Sequence, residues 1–193
     1  MIRRLPILPT IIVLIAVGVM IRLGFWQIDR LEEKEALLAN YAAAATDTGM
    51  VEWPANQAEA EVRLYRRSRL SCTGVTSKSA IAGRNRDGIS GLTQVVTCNL
   101  AEGGTALVTL GWSREPAATN WQGGEVAGII APGPRLVAVP SLAGLEVNAV
   151  PDPGDLPNNH FAYAIQWFLF AGVALVIYAL AVRKRLAGRG ADG

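Results

Sequence analysis

Apolar residues are concentrated at the two ends of the chain. Leu5 to Ile21 carries no charge, and from Phe161 to Val182 the one strongly polar residue is Gln166. The second run would form about 33 Å of helix at about 1.5 Å per residue, which is enough to cross a bilayer. The pattern therefore predicts two transmembrane helices, one at each end, with a separate domain between them.

The boundaries of these elements follow from composition. Residues 29–45 lack proline and glycine and are rich in Glu, Lys, Leu and Ala, which all favour helix. We expect a first transmembrane helix over 5–28 that continues as a helical extension over 29–45. A second transmembrane helix is expected over 158–182, followed by a basic cytoplasmic tail over 183–193.

A cleaved signal peptide is the alternative interpretation of the first apolar run. Ala42 to Ala45 supply small residues of the kind that signal peptidase accepts. However, a long and partly charged stretch separates them from the run, whereas a signal peptide has its cleavage site close behind a shorter apolar segment. The spacing favours an uncleaved anchor.

The residues between the two helices, 46–157, form short β-like runs separated by turn signals. The candidate strands are Val62–Cys72, Leu92–Leu100, Thr105–Trp112, Glu125–Ile130, Arg135–Val139 and Leu145–Val150. Residues 84–88 predict a turn, and 101–104 predict a hairpin. No helical pattern separates these runs, so we expect a small, mostly antiparallel, barrel- or sandwich-like exterior domain.

Basic residues predict the orientation in the membrane. The second apolar run is followed by Arg183, Lys184, Arg185 and Arg189, and no basic residue lies between Arg135 and that run. The positive-inside rule then assigns the C-terminus to the cytoplasm. With two spans, both termini are cytoplasmic and the middle domain is periplasmic in a bacterial inner membrane, or faces the intermembrane space in a mitochondrion.

Charge and motifs exclude several classes of function. The chain has a net charge of +2, but residues 46–158 carry nine basic and eleven acidic side chains. A mildly acidic domain has no basic surface for nucleic acid, so we exclude such partners. Because the chain lacks a phosphate loop, a dinucleotide fingerprint and HExxH, we expect a protein that is not an enzyme. A membrane-tethered hydrolase would need a nucleophile that the sequence does not reveal.

The two cysteines, Cys72 and Cys98, fall on candidate strands of the exterior domain. In an oxidising compartment they could form a disulfide, or they could be two buried thiols. They are not arranged as CxxC, so their spacing does not favour a metal site.

The single histidine, His160, lies where a proline-rich linker meets the second apolar run. If both spans have their outer ends on one side, residues 22–30 and 157–167 lie at similar depth. Helical spacing groups Arg22, Trp26 and Arg30 on the first helix. It groups His160, either Tyr163 or Ala164, and Trp167 on the second.

These residue types suit a haem. An imidazole can hold the iron axially, aromatic rings can flank the macrocycle, and a guanidinium can pair with a propionate. The alternative is an aromatic belt at the lipid headgroups, with Arg22 reaching toward the membrane surface and His160 bonding the linker.

Four segments resemble a known family. Residues 23–30, LGFWQIDR, resemble a Leu-Gly-x-Trp-Gln-x-x-Arg motif, and residues 158–168, NNHFAYAIQWF, resemble Asn-Asn-His-x-x-Tyr-Ala-x-x-Trp-Phe. Residues 87–91 are similar to a Gly-x-x-Gly loop, and 108–112 to a Val-Asn-Arg-Gly-Trp strand. On these motifs the chain is identified as a member of the Surfeit locus 1 (Shy1-like) family. Leu110 replaces the arginine usual in this family and Cys98 replaces a frequent proline.

The resemblance implies a function. The family consists of assembly factors for haem-copper cytochrome c oxidase, with two spans around an exterior domain, and bacterial members are thought to bind haem a. Its expected partners are membrane lipid, the haem-bearing catalytic subunit of the oxidase and, as a further candidate, haem a synthase. An alternative within this setting is a non-haem scaffold or accessory subunit of the oxidase.

The resemblance also implies site residues. His160 would be the ligand of the haem iron. The surrounding motif comprises Trp26, Gln27, Arg30, Asn158, Asn159, Tyr163 and Trp167. Arg22 is added from its position on the helix and does not belong to the motif.

Overall fold

The structure is a computed structural model that describes residues 6–188. Leu5 and residues 189–193, which belong to the predicted first helix and basic tail, therefore lie outside the described residues. The helices are α1 (Ile7–Thr46), α2 (Gln57–Val62) and α3 (His160–Gly188). The strands are β1 (Met50–Glu52), β2 (Arg67–Arg84), β3 (Ser90–Leu100), β4 (Thr105–Ser113), β5 (Gly124–Ala131) and β6 (Arg135–Ala138).

The chain divides into two compact units. One contains the residues up to Leu37 together with those from Pro157 onward, and the other contains Leu38–Leu156. The first is therefore a pair of helices and the second is a β domain. Helix α1 contributes residues to both, because it is continuous from Ile7 to Thr46.

The two helices of the first unit run antiparallel. A hydroxyl–hydroxyl hydrogen bond joins Thr10 and Tyr178 toward one end of the pair, and Gln27 meets His160 toward the other. The buried positions between these ends are mostly small residues, which let helices approach closely. They are Val17 and Gly24 on α1 and Ala164 and Ala171 on α3.

Most large apolar side chains of this helix pair are exposed. Ile15, Phe161 and Ile177, for example, are each more than 60% exposed. Both helices are long and apolar enough to span a membrane. A core helix of a soluble protein would bury such side chains, whereas lipid covers them on a spanning helix. The prediction of two membrane-spanning-capable helices around a separate domain is confirmed.

The β domain is built around the long strand β2. Its first part, Arg67–Cys72, pairs with β5, and from Cys72 to Arg84 it pairs with β3. Register shifts next to Cys72 and Val75 mark bulges, which bend a strand and let it pass from one layer to another. The strand order is β1-β2-β3-β4-β6-β5, with β1–β2 and β4–β6 parallel and the other pairs antiparallel. The predicted mostly antiparallel, sandwich-like domain is confirmed.

The core of this domain lies between the layers. It includes Val96, Leu110 and Leu136, none of which is more than 1% exposed. Cys72 and Cys98 form a disulfide in this core, with their Cα atoms 5.3 Å apart. The two cysteines are therefore cross-linked, and the alternative of two separate thiols does not hold in this structure.

Three local differences separate the structure from the sequence expectations. The predicted strand from Val62 starts later, at Arg67, because Val62 is the last residue of α2 and a turn follows it. The first turn of α2 is capped by the Asn56 side chain, which accepts a hydrogen bond from the Glu59 N–H. β2 then continues to Arg84, far beyond the predicted end. The expected last strand, Leu145–Val150, makes only isolated bridges to its neighbours.

Candidate functional site

His160 is the first residue of α3, and its ring contacts the other helix. His160 Nδ1 lies 2.7 Å from Gln27 Oε1. The Tyr163 N–H donates to the Asn159 carbonyl, so the helical hydrogen bonding starts directly beside the histidine. The half-buried imidazole is thus held between a helix start and a side chain of α1.

This hydrogen bond selects a form of the imidazole. A carboxamide oxygen only accepts, so in a neutral His160 the proton is on Nδ1 and the lone pair is on Nε2. Metal-binding histidines usually donate their other ring N–H to an oxygen in this way, which orients the ring and raises its basicity as a ligand. Of the two ring nitrogens of a neutral His160, Nε2 is therefore the one whose lone pair could bind a metal.

Close packing of the two helices supports the contact. A Cβ added to Gly24 would lie 2.6 Å from the Phe168 ring, so glycine is what allows that ring to reach α1. The Phe25 ring meets the same Phe168 ring edge-on, with centroids 5.4 Å apart. Gly24 is one turn from Gln27, so this packing fixes the spacing of the helices beside the histidine.

The structure places the predicted residues of α1 on a more exposed side of that helix. Arg22, Trp26 and Arg30 are all exposed, with Trp26 at 41%. The Arg30 guanidinium lies 5.7 Å from the centroid of the Trp26 ring, and its Nη1 is 2.5 Å from a Glu33 carboxylate oxygen. Trp26 and Arg30 are therefore brought together, while Gln27 is the residue that meets His160.

The predicted residues in α3 and just before it differ in how exposed they are. Tyr163 is 51% exposed, and Trp167 is half-buried with its ring edge-on to Phe170. Asn158 Oδ1 is buried and has no hydrogen-bond partner among residues 6–188, whereas Asn159 is exposed.

Metal ligation at this site would depend on one side chain. Within the described part of the chain, no group of three His, Cys, Asp or Glu side chains is placed to hold a metal ion. His160 is the only histidine of the whole sequence.

Comparison with known proteins identifies the family. A family model described as the SURF1 family matches residues 14–172. This chain belongs to the SURF1 family. The SURF1 family is known for cytochrome c oxidase assembly and is a family of assembly factors rather than of catalytic enzymes. No curated protein matches the chain significantly.

The match to the SURF1 family includes both halves of the contact between the helices. Residues 23–30 lie within the matched region, and so do residues 158–168. The resemblance that the terminal motifs indicate is therefore confirmed, and the two motifs meet in the structure through Gln27 and His160.

The pairing of Gln27 with His160 was not expected from the sequence of this SURF1-family chain. Spacing by four residues groups Trp26 with Arg22 and Arg30 instead, and these three residues have larger side chains than Gln27. The face of α1 that packs against α3 carries Val17, Gly24 and Gln27. These positions follow the spacing of about 3.5 residues that packed helices keep, and this spacing is the signal in the sequence that identifies the face.

Proposed function

We propose that this chain is a membrane-anchored assembly factor of cytochrome c oxidase that holds haem a through His160 and passes it to the catalytic subunit. The observation that supports this most directly is the hydrogen bond from His160 to Gln27. It leaves Nε2 as the lone-pair nitrogen, which is the form that binds iron. Family membership supports the role in oxidase assembly.

The residue types that the two motifs bring to this end of the helix pair support a haem as the ligand. Haem a would be held through its iron by the His160 imidazole. Trp26, Tyr163 and Trp167 would pack against the macrocycle, and Arg22 or Arg30 would pair with a propionate. A single histidine suits a carrier that must release its haem, because the chain offers no second imidazole to hold the iron.

The proposed location is the outer face of a bacterial inner membrane. The disulfide between Cys72 and Cys98 supports a β domain in an oxidising compartment such as the periplasm. Arg183, Lys184 and Arg185 after the second span support a cytoplasmic C-terminus.

A haem-binding experiment tests the proposal. The protein would be co-expressed with the haem a synthesis enzymes, purified with a tag that contains no histidine, and examined by absorption spectroscopy beside His160→Ala. We expect a haem band in the wild type that falls by at least about tenfold in the variant, because the imidazole that would hold the iron is removed. Asn40→Ala is the control, since Asn40 is an exposed residue of α1 that lies outside both motifs.

Each outcome separates two functions. Haem that persists in His160→Ala would contradict His160 as the ligand. If both proteins lack haem although haem a is made, and the wild type co-purifies with the oxidase, the scaffold function replaces the carrier.

A further inference from the structure

Gln166 is a polar residue on the outer side of the apolar helix α3. Ala164 is buried, and the Phe168 ring reaches Gly24 of α1, so these two residues face the other helix. Gln166 lies two positions from each of them, and at about 100° per residue its side chain points to the opposite side of α3. The side chain is exposed there. Within residues 6–188, neither of the side-chain hydrogen bonds between α1 and α3 involves Gln166.

The depth of Gln166 along the helix makes an unpaired carboxamide costly. The apolar run from Phe161 to Val182 is centred between Ala171 and Gly172, and Gln166 lies about 8 Å from this centre at about 1.5 Å per residue. The hydrocarbon core of a bilayer extends about 15 Å to either side of its midplane. The carboxamide of a spanning α3 would therefore face lipid inside the apolar layer, where no water is present to bond its N–H and C=O groups. A polar group of another helix would satisfy it.

Gln166 belongs to a row of exposed residues that follows the length of α3. The row alternates steps of four and three residues, which is the spacing of the contact line between two packed helices. Its four large apolar members are each more than half exposed. We call this row the outer seam, and it extends over about 27 Å of helix. It consists of Ala162, Gln166, Leu169, Val173, Val176 and Leu180.

The chemistry of the outer seam favours a second copy of this chain as its partner. Copies of one chain share one orientation in the membrane, so two α3 helices placed seam to seam run parallel and bring equal residues together at equal depth. A carboxamide has both donors and an acceptor, so two Gln166 side chains can bond to each other without any further group. Leu169 and Val173 occupy the alternate positions at which leucine and a β-branched residue favour two parallel helices.

We propose that the protein dimerises in the membrane through the outer seam of α3, with the two Gln166 carboxamides hydrogen-bonded to each other across the two-fold axis. A single polar pair in an apolar contact line fixes the register of the two helices, because a shift along the axis would return both carboxamides to lipid. The opposite side of each α3 stays packed on its own α1. The dimer is thus a bundle of four helices in which the two α3 helices are central.

Energy transfer between donor- and acceptor-labelled full-length protein in phosphatidylcholine vesicles measures the dimer. Over a range of protein-to-lipid ratios we expect the signal of a monomer–dimer equilibrium. Gln166→Leu should weaken the dimer at least about threefold, because the hydrogen bonds between the carboxamides are lost. Gln166→Asn keeps a carboxamide and should weaken it less. Leucine makes the span more apolar, so failed insertion cannot explain the loss in the leucine variant.

Cysteine cross-linking in the same vesicles identifies the contact face. On oxidation, Leu169→Cys should give a disulfide-linked dimer, since each seam residue meets its equal. The native cysteines, Cys72 and Cys98, are already bonded to each other. Leu175→Cys is the control and should remain monomeric, because Leu175 is also exposed but lies on the opposite side of α3 from Val173.

Three results would overturn the dimer. One is the absence of energy transfer at every protein-to-lipid ratio, and another is an equal dimer affinity of Gln166→Leu and the wild type. The third is equal cross-linking of the two cysteine variants. If the protein is monomeric in vesicles, and Gln166→Leu loses an oxidase that co-purifies with the wild type, the helix of another protein occupies the outer seam instead.

Discussion

At the scale of single residues, the chemistry of His160 depends on a partner from the other helix. A free neutral imidazole exchanges between two tautomers, and a fixed acceptor beside one nitrogen selects one of them. Gln27 is that acceptor, at 2.7 Å. Under the proposed function it is therefore a positioning residue, which would act on a bound group only through the histidine ring.

Replacement of Gln27 by methionine tests this role. We expect Gln27→Met to shift the neutral imidazole from the Nδ1–H form toward the Nε2–H form, because the acceptor is lost while side-chain size is nearly kept. The ¹⁵N NMR spectrum of histidine-labelled protein reports the tautomer directly, since the chain has one histidine. Gln166→Met, at an exposed position of α3, is the control. A wild-type spectrum dominated by Nε2–H would contradict the assignment.

At the scale of elements, the helix pair depends on small residues for its spacing. Gly24 lies against the Phe168 ring, whereas a Cβ at Gly18 would meet nothing within 4 Å. The two glycines are in the same helix but in opposite environments. Helix propensity alone favours alanine over glycine by about 1 kcal/mol at both.

Alanine substitutions separate propensity from packing. Gly18→Ala should leave stability equal or raise it by up to about 1 kcal/mol. Gly24→Ala should instead destabilise the helix pair by about 1–3 kcal/mol, because the Phe168 ring must move. Thermal unfolding in detergent, followed by circular dichroism, measures both. Equal effects of the two substitutions would show that the ring adapts without cost.

The β domain has its own cross-link, and its removal has a defined cost. Joint replacement of Cys72 and Cys98 by alanine should lower the free energy of unfolding by about 2–4 kcal/mol, as expected for loss of a native disulfide. Urea unfolding followed by tryptophan fluorescence gives this value. Reductant should lower the stability of the wild type similarly and leave the variant unchanged. A variant as stable as the oxidised wild type would contradict a stabilising role.

The elements also differ in how far the sequence predicts them. The apolar runs and the turn at residues 101–104 predict α1, α3 and the β3–β4 hairpin correctly, because each has a strong local signal. The second half of β2 is nearly all exposed, so it lacks the alternation that marks a half-buried strand. The disulfide depends on strand register and bulges, which no local pattern reveals.

The candidate site was predictable in part. The identity of His160 and its position at a helix start follow from the sequence. Its contact with Gln27 depends on which face of α1 packs, and that face is set by Gly24 and other small residues rather than by the large side chains.

At the scale of the whole molecule, the charge distribution predicts the orientation. Replacing Arg183, Lys184 and Arg185 by glutamine removes most of the basic residues behind the second span. We expect a larger fraction of chains whose C-terminus lies on the periplasmic side of the membrane. A fusion of alkaline phosphatase to the C-terminus reports a periplasmic C-terminus, and a fusion of green fluorescent protein reports a cytoplasmic one. Glutamines at Arg67 and Arg69 in the β domain should leave the orientation unchanged, and an unaltered triple variant would contradict the assignment.

The order of the strands along the chain has a consequence for biosynthesis. The sheet is complete at Ala138, which precedes the second helix by more than twenty residues. Chains grow from the N-terminus and domains tend to fold as units during synthesis. If the β domain is exported as proposed, all of its strands can therefore cross the membrane and begin to pair before His160 leaves the ribosome. The histidine would then reach its partner helix last, when the anchor and the exported domain are already in place.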